Sequence, residues 1–190
     1  MIRILICGLM SSARLLELRM SNRNIAAQPD RREGRLSRQS FPAMVALHTA
    51  VIGGTALLGT KKTHHGWLAI LLAVQPLRWW VLTTLGKRWT ARGAVPRHME
   101  IETTGPYAYV RHPNYAVVAI ELATLPAAFG LKRLAILATI GNAALLTLRI
   151  HDEEALLFEL PGYAEHFGDK PRFLPHLPRR RARIPVGREA

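Results

Sequence analysis

Apolar and polar positions alternate in long blocks along this chain. Phe41–Thr60 is a run of about twenty residues without Asp, Glu, Lys or Arg, roughly the length a helix needs to cross a bilayer. Gly66–Gly86 is a second run, broken only by Arg78. Asn114–Leu131 is a third, with Glu121 inside it and Pro126 placed to kink it. Leu134–Ile150 follows after Lys132-Arg133 alone, so these two runs form a tight helical hairpin. Ile2–Leu18 carries Arg3, Arg14 and Glu17 and reads as a short first span. Its shortness suggests a misplaced start. No small-residue cleavage site follows it, which argues against a signal peptide. The pattern predicts an all-α integral membrane bundle of about five transmembrane helices, with no Rossmann domain. In order these are a first helix and basic loop (1–40), a helical core (41–150) holding a polar loop at 87–113, and a C-terminal helix with a basic tail (151–190).

Charge then orients the bundle. The 190 residues hold 26 Lys and Arg against 13 Asp and Glu, and 49% of residues are hydrophobic. Eighteen of the cations fall in the 19–40 loop, the 87–113 loop and the tail after 150, and four in the alternate connectors. A positive-inside bias of that size places the two long polar segments on the cytoplasmic side of the inner (plasma) membrane. The charge is a topology signal rather than a nucleic-acid footprint. The Arg179-Arg180-Arg181 cluster reads as a solvated or headgroup-facing tail.

Soluble-enzyme templates are missing. There is no Gly-x-Gly-x-x-Gly, and the Gly54–Gly59 spacing of a phosphate loop is followed by Thr60 where a lysine is needed. His64-His65 lacks a third ligand at metal spacing, so no metal is expected. Cys7 is the only cysteine, which excludes a disulfide within the chain.

Polar residues at membrane depth are costly and face a protein interior, a cavity or a site. Gln75 and Arg78 share a helical face, while Glu121 stands alone in its span. Asn142, Arg149 and Glu153 lie within about 40° of arc at about 100° per residue. Glu154 lies roughly 120° away from that stripe, so the two glutamates point differently. A plain i,i+4 ion pair between Arg149 and Glu153 is the competing interpretation. A second cluster, Thr103 to Tyr115, opens on a Gly-Pro turn and ends on Arg111-His112-Pro113-Asn114-Tyr115. Pro113 restricts His112 to extended geometry and suits the first turn of a helix. The tyrosines alone could be an interfacial belt.

Gly105-Pro-Tyr-Ala-Tyr-Val-Arg-His-Pro-Asn-Tyr115, then Arg149-x-x-x-Glu153-Glu154, Gly162 and Phe173-Leu-Pro175 together resemble the isoprenylcysteine carboxyl methyltransferase family over roughly residues 75–175. Arg14-Leu-Leu-Glu-Leu18, Ser21-Asn-Arg-Asn24 and Phe41–His48 are similar to a bacterial branch that O-methylates alkylpyrones or alkylresorcinols made by type III polyketide synthases. The resemblance implies a membrane enzyme using S-adenosylmethionine. It implies that Tyr107, His112, Pro113, Asn114, Tyr115, Glu153 and Glu154 bind that cofactor and that Arg149 sits at the acceptor. His112 or a glutamate would serve as base toward a hydroxyl acceptor, whereas a carboxylate needs only orientation. The expected partners are a lipophilic substrate drawn from the bilayer and membrane lipids, with no nucleic acid. Competing acceptors are a prenylcysteine carboxylate and a phospholipid amine. A non-enzymatic rival is a small transporter or assembly factor using Arg78 and Glu121. Gly162-Tyr163 and Ala164-Glu-His-Phe167 depart from the family pattern, which puts the shape of the cofactor cap in question. Gly93–Glu102 is too diverged to map residue by residue.

Overall fold

The computed structural model describes residues 1–98 and 100–175; the Arg179–Arg181 cluster lies outside them. Five long helices run up and down: α1 (Ile2–Ala26), α2 (Arg35–Leu58), α3 (His65–Leu85), α4 (Pro113–Ala128) and α5 (Lys132–Leu157). A short α6 (Tyr163–Phe167) follows. No strand occurs among the described residues.

Each apolar run lies within or largely coincides with one helix, and several helices extend beyond their runs. α1 continues eight residues past Leu18, where the Asn24 side chain donates to the carbonyls of Gly86 and Trp89 at 3.1 and 2.8 Å. α5 continues past Ile150 to Leu157, which carries Glu153 and Glu154 onto the same helix as Arg149. Pro126 does not kink α4. It sits in the last turn, and its carbonyl accepts from Leu131 N at 2.9 Å as the chain turns into α5.

The three segments 35–58, 65–88 and 132–157 are long and apolar enough to cross a membrane. α4 is shorter, at 16 residues, and packs chiefly between α3 and α5. Leu57, Leu72, Trp79, Ile136, Leu137 and Ile140 point outward, exposed, while Arg78, Glu121, Asn142 and Arg149 point inward, buried. A soluble bundle has the reverse polarity, and only lipid makes this arrangement favourable.

The polar connectors divide between the two ends of the bundle. At one end, Thr60 N and His64 N donate to the carbonyls of Phe129 and Ala128, both at 2.8 Å, and the Thr60 hydroxyl adds a bond to the Phe129 carbonyl at 3.2 Å. At the other, the segments 27–34, 86–112 and 158–175 interlock. Arg31 donates to the carbonyls of Lys87, Arg88 and Ala94, Arg32 pairs with Glu159 at 2.6 Å, and Arg32 and Val95 exchange backbone hydrogen bonds. The described parts of all three segments therefore gather at one end of the bundle, as their charge distribution predicts.

Glu121, the one charged residue of its span, finds its partners on other helices. Its carboxylate accepts from Arg78 Nη1 and from Gln75 Nε2, each at 3.0 Å. Arg78 also donates twice to Glu17 of α1 at 2.6 Å. Arg14 Nη1 lies 3.2 Å from Glu17 and 3.6 Å from Glu121. Two cations and two anions thus tie α1, α3 and α4 together in the core, which balances the charge that apolar surroundings would otherwise penalise.

Candidate active site at the junction of two cavities

The site lies at the interlocked end. Its floor is the segment 86–96 and one wall is the turn 105–112. The backbone at Gly105 has φ +57°, and a Cβ there would meet Thr84 Oγ1 at 2.6 Å, so only glycine lets this turn settle on α3. A 3-10 turn over Gly105–Ala108 then presents Tyr107, and Pro113 opens α4 at its first position, where its missing N–H is harmless. His112 caps that helix at φ −127°, ψ 59°, less extended than the following proline predicts. Its backbone N–H is held by the Arg172 carbonyl at 2.8 Å, which fixes the departure.

The adjacent glutamates of α5 point to different places, as the helical wheel requires. Glu153 accepts a hydrogen bond from the Tyr115 hydroxyl and lines a narrow polar cleft of about 100 Å³. Tyr107, His112, Asn114 and Tyr115 line the same cleft, as do Trp89, Gly93, Glu102, Tyr163 and Phe167. Glu154 is not on its wall. Its carboxylate accepts from His112 Nε2 at 2.9 Å and Arg172 Nη2 at 2.7 Å, with Arg111 Nη1 at 3.4 Å. Because a carboxylate only accepts, His112 carries a proton on Nε2. Glu154 therefore fastens the 111–112 and 171–172 segments together behind the cleft. Pro113 is buried and also off the wall; both were expected as cofactor contacts.

Arg149 does not form the i,i+4 pair with Glu153. It donates through Nη2 to the Ala91 carbonyl at 2.7 Å, and its guanidinium lies 5.8 Å from the Tyr115 ring centroid. Its Nε and Nη1 are buried without a partner, and so are Asn114 Oδ1 and Trp89 Nε1. Unsatisfied buried groups are expensive, and these three side chains all border a second, larger cavity.

That cavity, about 620 Å³, lies between α1, α2, α4 and α5. Its walls are two helical stripes at i, i+3, i+4 spacing: Ile4, Cys7, Gly8, Ser11, Leu15 and Leu18 on α1, and Phe41, Met44, Val45, His48, Thr49, Ile52, Gly53 and Ala56 on α2. Such a volume suits a lipid-like or drug-sized ligand. Cleft and cavity share Trp89, Asn114 and Tyr115. At their boundary Gly93 adopts φ +67°, and a Cβ there would come within 3.1 Å of Glu153 Oε2 and 3.5 Å of Arg149 Nη2 and the Tyr115 hydroxyl.

Around the cleft, burial and then the Glu153 charge push the Tyr107 hydroxyl well above its ordinary value, and the Tyr163 hydroxyl rises for the same reasons. Both remain protonated donors at neutral pH. Burial also works against ionisation of Glu102, but hydrogen bonds from the Thr104 side chain and backbone and from Arg88 outweigh it and hold that carboxyl below its usual range.

Sequence reasoning brought Tyr107, His112, Asn114, Tyr115, Arg149 and Glu153 to one place. It missed Trp89, which carries no motif, singled out the stretch Gly93–Glu102 without assigning residues within it, and left the contribution of Tyr163 and Phe167 open. Phe167 stacks on Tyr163 at 4.6 Å between centroids, so the departures from the family pattern still supply aromatic surface.

A family model described as the isoprenylcysteine carboxyl methyltransferase (ICMT) family matches residues 67–159, from the first turn of α3 to just beyond the end of α5. An uncharacterised protein of Bacillus subtilis (strain 168), YpbQ, is 34% identical over 125 residues, covering 63% of this chain and 74% of that protein. With the all-α membrane bundle and the paired cavities, these matches place the chain in the isoprenylcysteine carboxyl methyltransferase family of membrane methyltransferases.

Proposed function

We propose that this protein transfers a methyl group from S-adenosylmethionine to an oxygen of a lipophilic acceptor that reaches the site from the bilayer, a polyketide-derived alkylpyrone or alkylresorcinol. The observation that carries this reading is the meeting of the polar cleft and the apolar cavity at Trp89, Asn114 and Tyr115. A soluble donor and a lipid acceptor need such a junction.

The cleft residues fit the cofactor. Asn114 Oδ1 is an unpartnered acceptor, Glu153 is a carboxylate suited to an ammonium or to ribose hydroxyls, and Tyr107, Tyr163 and Phe167 offer ring surface. Gly93 leaves open the space a side chain would fill. When bound, S-adenosylmethionine supplies an electrophilic methyl group on a sulfonium sulfur.

The chain itself contributes position and charge. The free Nε and Nη1 of Arg149 hold and stabilise an anionic oxygen beside the junction, a preorganised donor set of the kind that lowers barriers. A hydroxyl acceptor must also release a proton. Tyr115 faces the cavity and donates to Glu153, so the proton moves to the Tyr115 oxygen as the Tyr115 hydroxyl passes its own to Glu153. His112 is a less direct base, since its Nε2 proton is committed to Glu154 and it does not border the cavity. A prenylcysteine carboxylate is the second reading, favoured by the unpartnered Arg149 guanidinium alone. Transport has less support, because Arg78 and Glu121 are consumed in ion pairs. The basic connectors support a plasma-membrane location with the cleft facing the cytoplasm, where the donor is made.

The test is incubation of the protein in lipid nanodiscs with methyl-labelled S-adenosylmethionine and lipid extracts, followed by mass spectrometry. A labelled methyl ether that disappears with Glu153→Ala is the expected product; a labelled methyl ester would shift the acceptor to a carboxylate. No labelled lipid from any extract would overturn the reading. A type III polyketide synthase gene beside this one would strengthen the choice of acceptor.

A further inference from the structure

The apolar cavity contains a polar position that methyl transfer does not use. Arg14 and His48 both border it. Arg14 shares Nη1 between Glu17 and Glu121, but its Nε and Nη2 are buried with no partner. His48 Nδ1 lies 2.8 Å from the Met44 carbonyl. A carbonyl can only accept, so Nδ1 carries the proton and Nε2 of the neutral ring is left as an acceptor. An unmet N–H donor and an unmet acceptor therefore border the same largely apolar chamber.

Their depth is fixed by the helices. Met44 packs with Tyr115, Leu146 and Ile150 at the level of the junction. His48 is one turn further along α2, about 6 Å, and Glu121 is six residues beyond Tyr115 along α4, about 9 Å. The polar position thus lies roughly 6–9 Å deeper in the bundle than the site of methyl transfer.

We propose that Arg14 and His48 form a second recognition point for the acceptor, binding a hydroxyl group carried on its chain about 6–9 Å from the methylated oxygen. A hydroxyl is the simplest group that meets both needs, accepting from Arg14 and donating to His48 Nε2. It would distinguish an oxygenated chain from a plain alkyl chain, since a plain chain leaves both groups unpaired. This deepens the proposed function and rests on it for the identity of the cavity's occupant.

Binding is measured without any methyl donor, by ligand-induced thermal shift of the nanodisc protein. The probes are 3-alkylphenols of one chain length, carrying no chain hydroxyl or one hydroxyl placed successively further from the ring. One intermediate position is expected to bind about tenfold tighter than the plain phenol, and His48→Phe and Arg14→Gln each remove that gain. His48→Phe leaves the ion-pair network untouched, so it decides the matter if Arg14→Gln fails to fold. Equal binding across the series, as if the position holds only water, overturns the proposal, and so does a gain that survives His48→Phe. Methyl transfer to the same phenols is scored separately. Positional preference without transfer removes the methylation reading and keeps the recognition point, whereas transfer without preference does the opposite.

Discussion

Two buried polar clusters about two helical turns apart use the same residue types to different ends. In the deeper one, Arg78 is gripped by Glu17 and Glu121, and Gln75 completes the Glu121 carboxylate. Every polar atom of Arg78 and of both glutamates is spoken for among the described residues. In the shallower one, Arg149 has a single backbone partner, and two of its nitrogens face no acceptor. A closed network holds helices together. An open one beside a cavity is prepared for something that arrives. The type of residue does not separate structure from site here; the completeness of its hydrogen bonding does.

The sharpest way to break the comparison is to open the closed cluster. Arg78→Ala leaves Glu17 and Glu121 with only Arg14 and Gln75 as partners, and we expect a loss of about 3 kcal/mol of stability, read as a large fall in the thermal midpoint. Arg149→Ala should do the reverse: the midpoint holds, while methyl transfer falls by about a hundred- to a thousandfold. If both variants lose stability equally, the distinction between the clusters is wrong.

A smaller effect probes the cavity alone. Gly53 lines it, and a Cβ there meets nothing within 4 Å, so Gly53→Leu adds bulk without a clash. Acceptor affinity should drop about tenfold, worth roughly 1.4 kcal/mol, with cofactor affinity unchanged. The smallest effect concerns the cleft rim. The folded-state carboxyl of Glu102 titrates below its ordinary value, so its hydrogen bonds from Thr104 and Arg88 stabilise the fold above the unfolded carboxylate pKa of about 4.3. That contribution is lost as pH falls through the folded value. For a pair partly open to water it is under about 1 kcal/mol. Glu102→Gln should therefore flatten, by a small amount, the decline in thermal midpoint as pH falls below about 5.

The helices and half of the site were legible because both are written in local spacing. Apolar runs predict helices directly, and Asn142, Arg149 and Glu153 share a stripe whatever surrounds them. The same arithmetic separated Glu153 from Glu154 and so anticipated their two fates. Pairing between helices is not local. Nothing in the third apolar run says that Glu121 will meet Arg78 and, from α1, Arg14 and Glu17, because that depends on which helices become neighbours. The cavity was invisible for the same reason, being built from two stripes that look like ordinary core. Trp89 and Gly93 belong to a loop whose course is set by its contacts with Asn24 and Arg31 rather than by its own sequence pattern. His112 shows the limit of a sound local rule, since Pro113 favours extended geometry there but a strand-like contact with Arg172 bends it away.

The central claim is that the open cluster and its cleft bind S-adenosylmethionine while the Arg78–Glu17–Glu121 core of the deeper cluster holds the bundle together. Equilibrium binding of radiolabelled S-adenosylmethionine to the nanodisc protein and to Glu153→Ala tests it most directly. The account predicts saturable binding at one site, weakened at least about tenfold by the substitution with the thermal midpoint of the free protein preserved. An absence of saturable binding, or equal affinity in the two proteins, would contradict it.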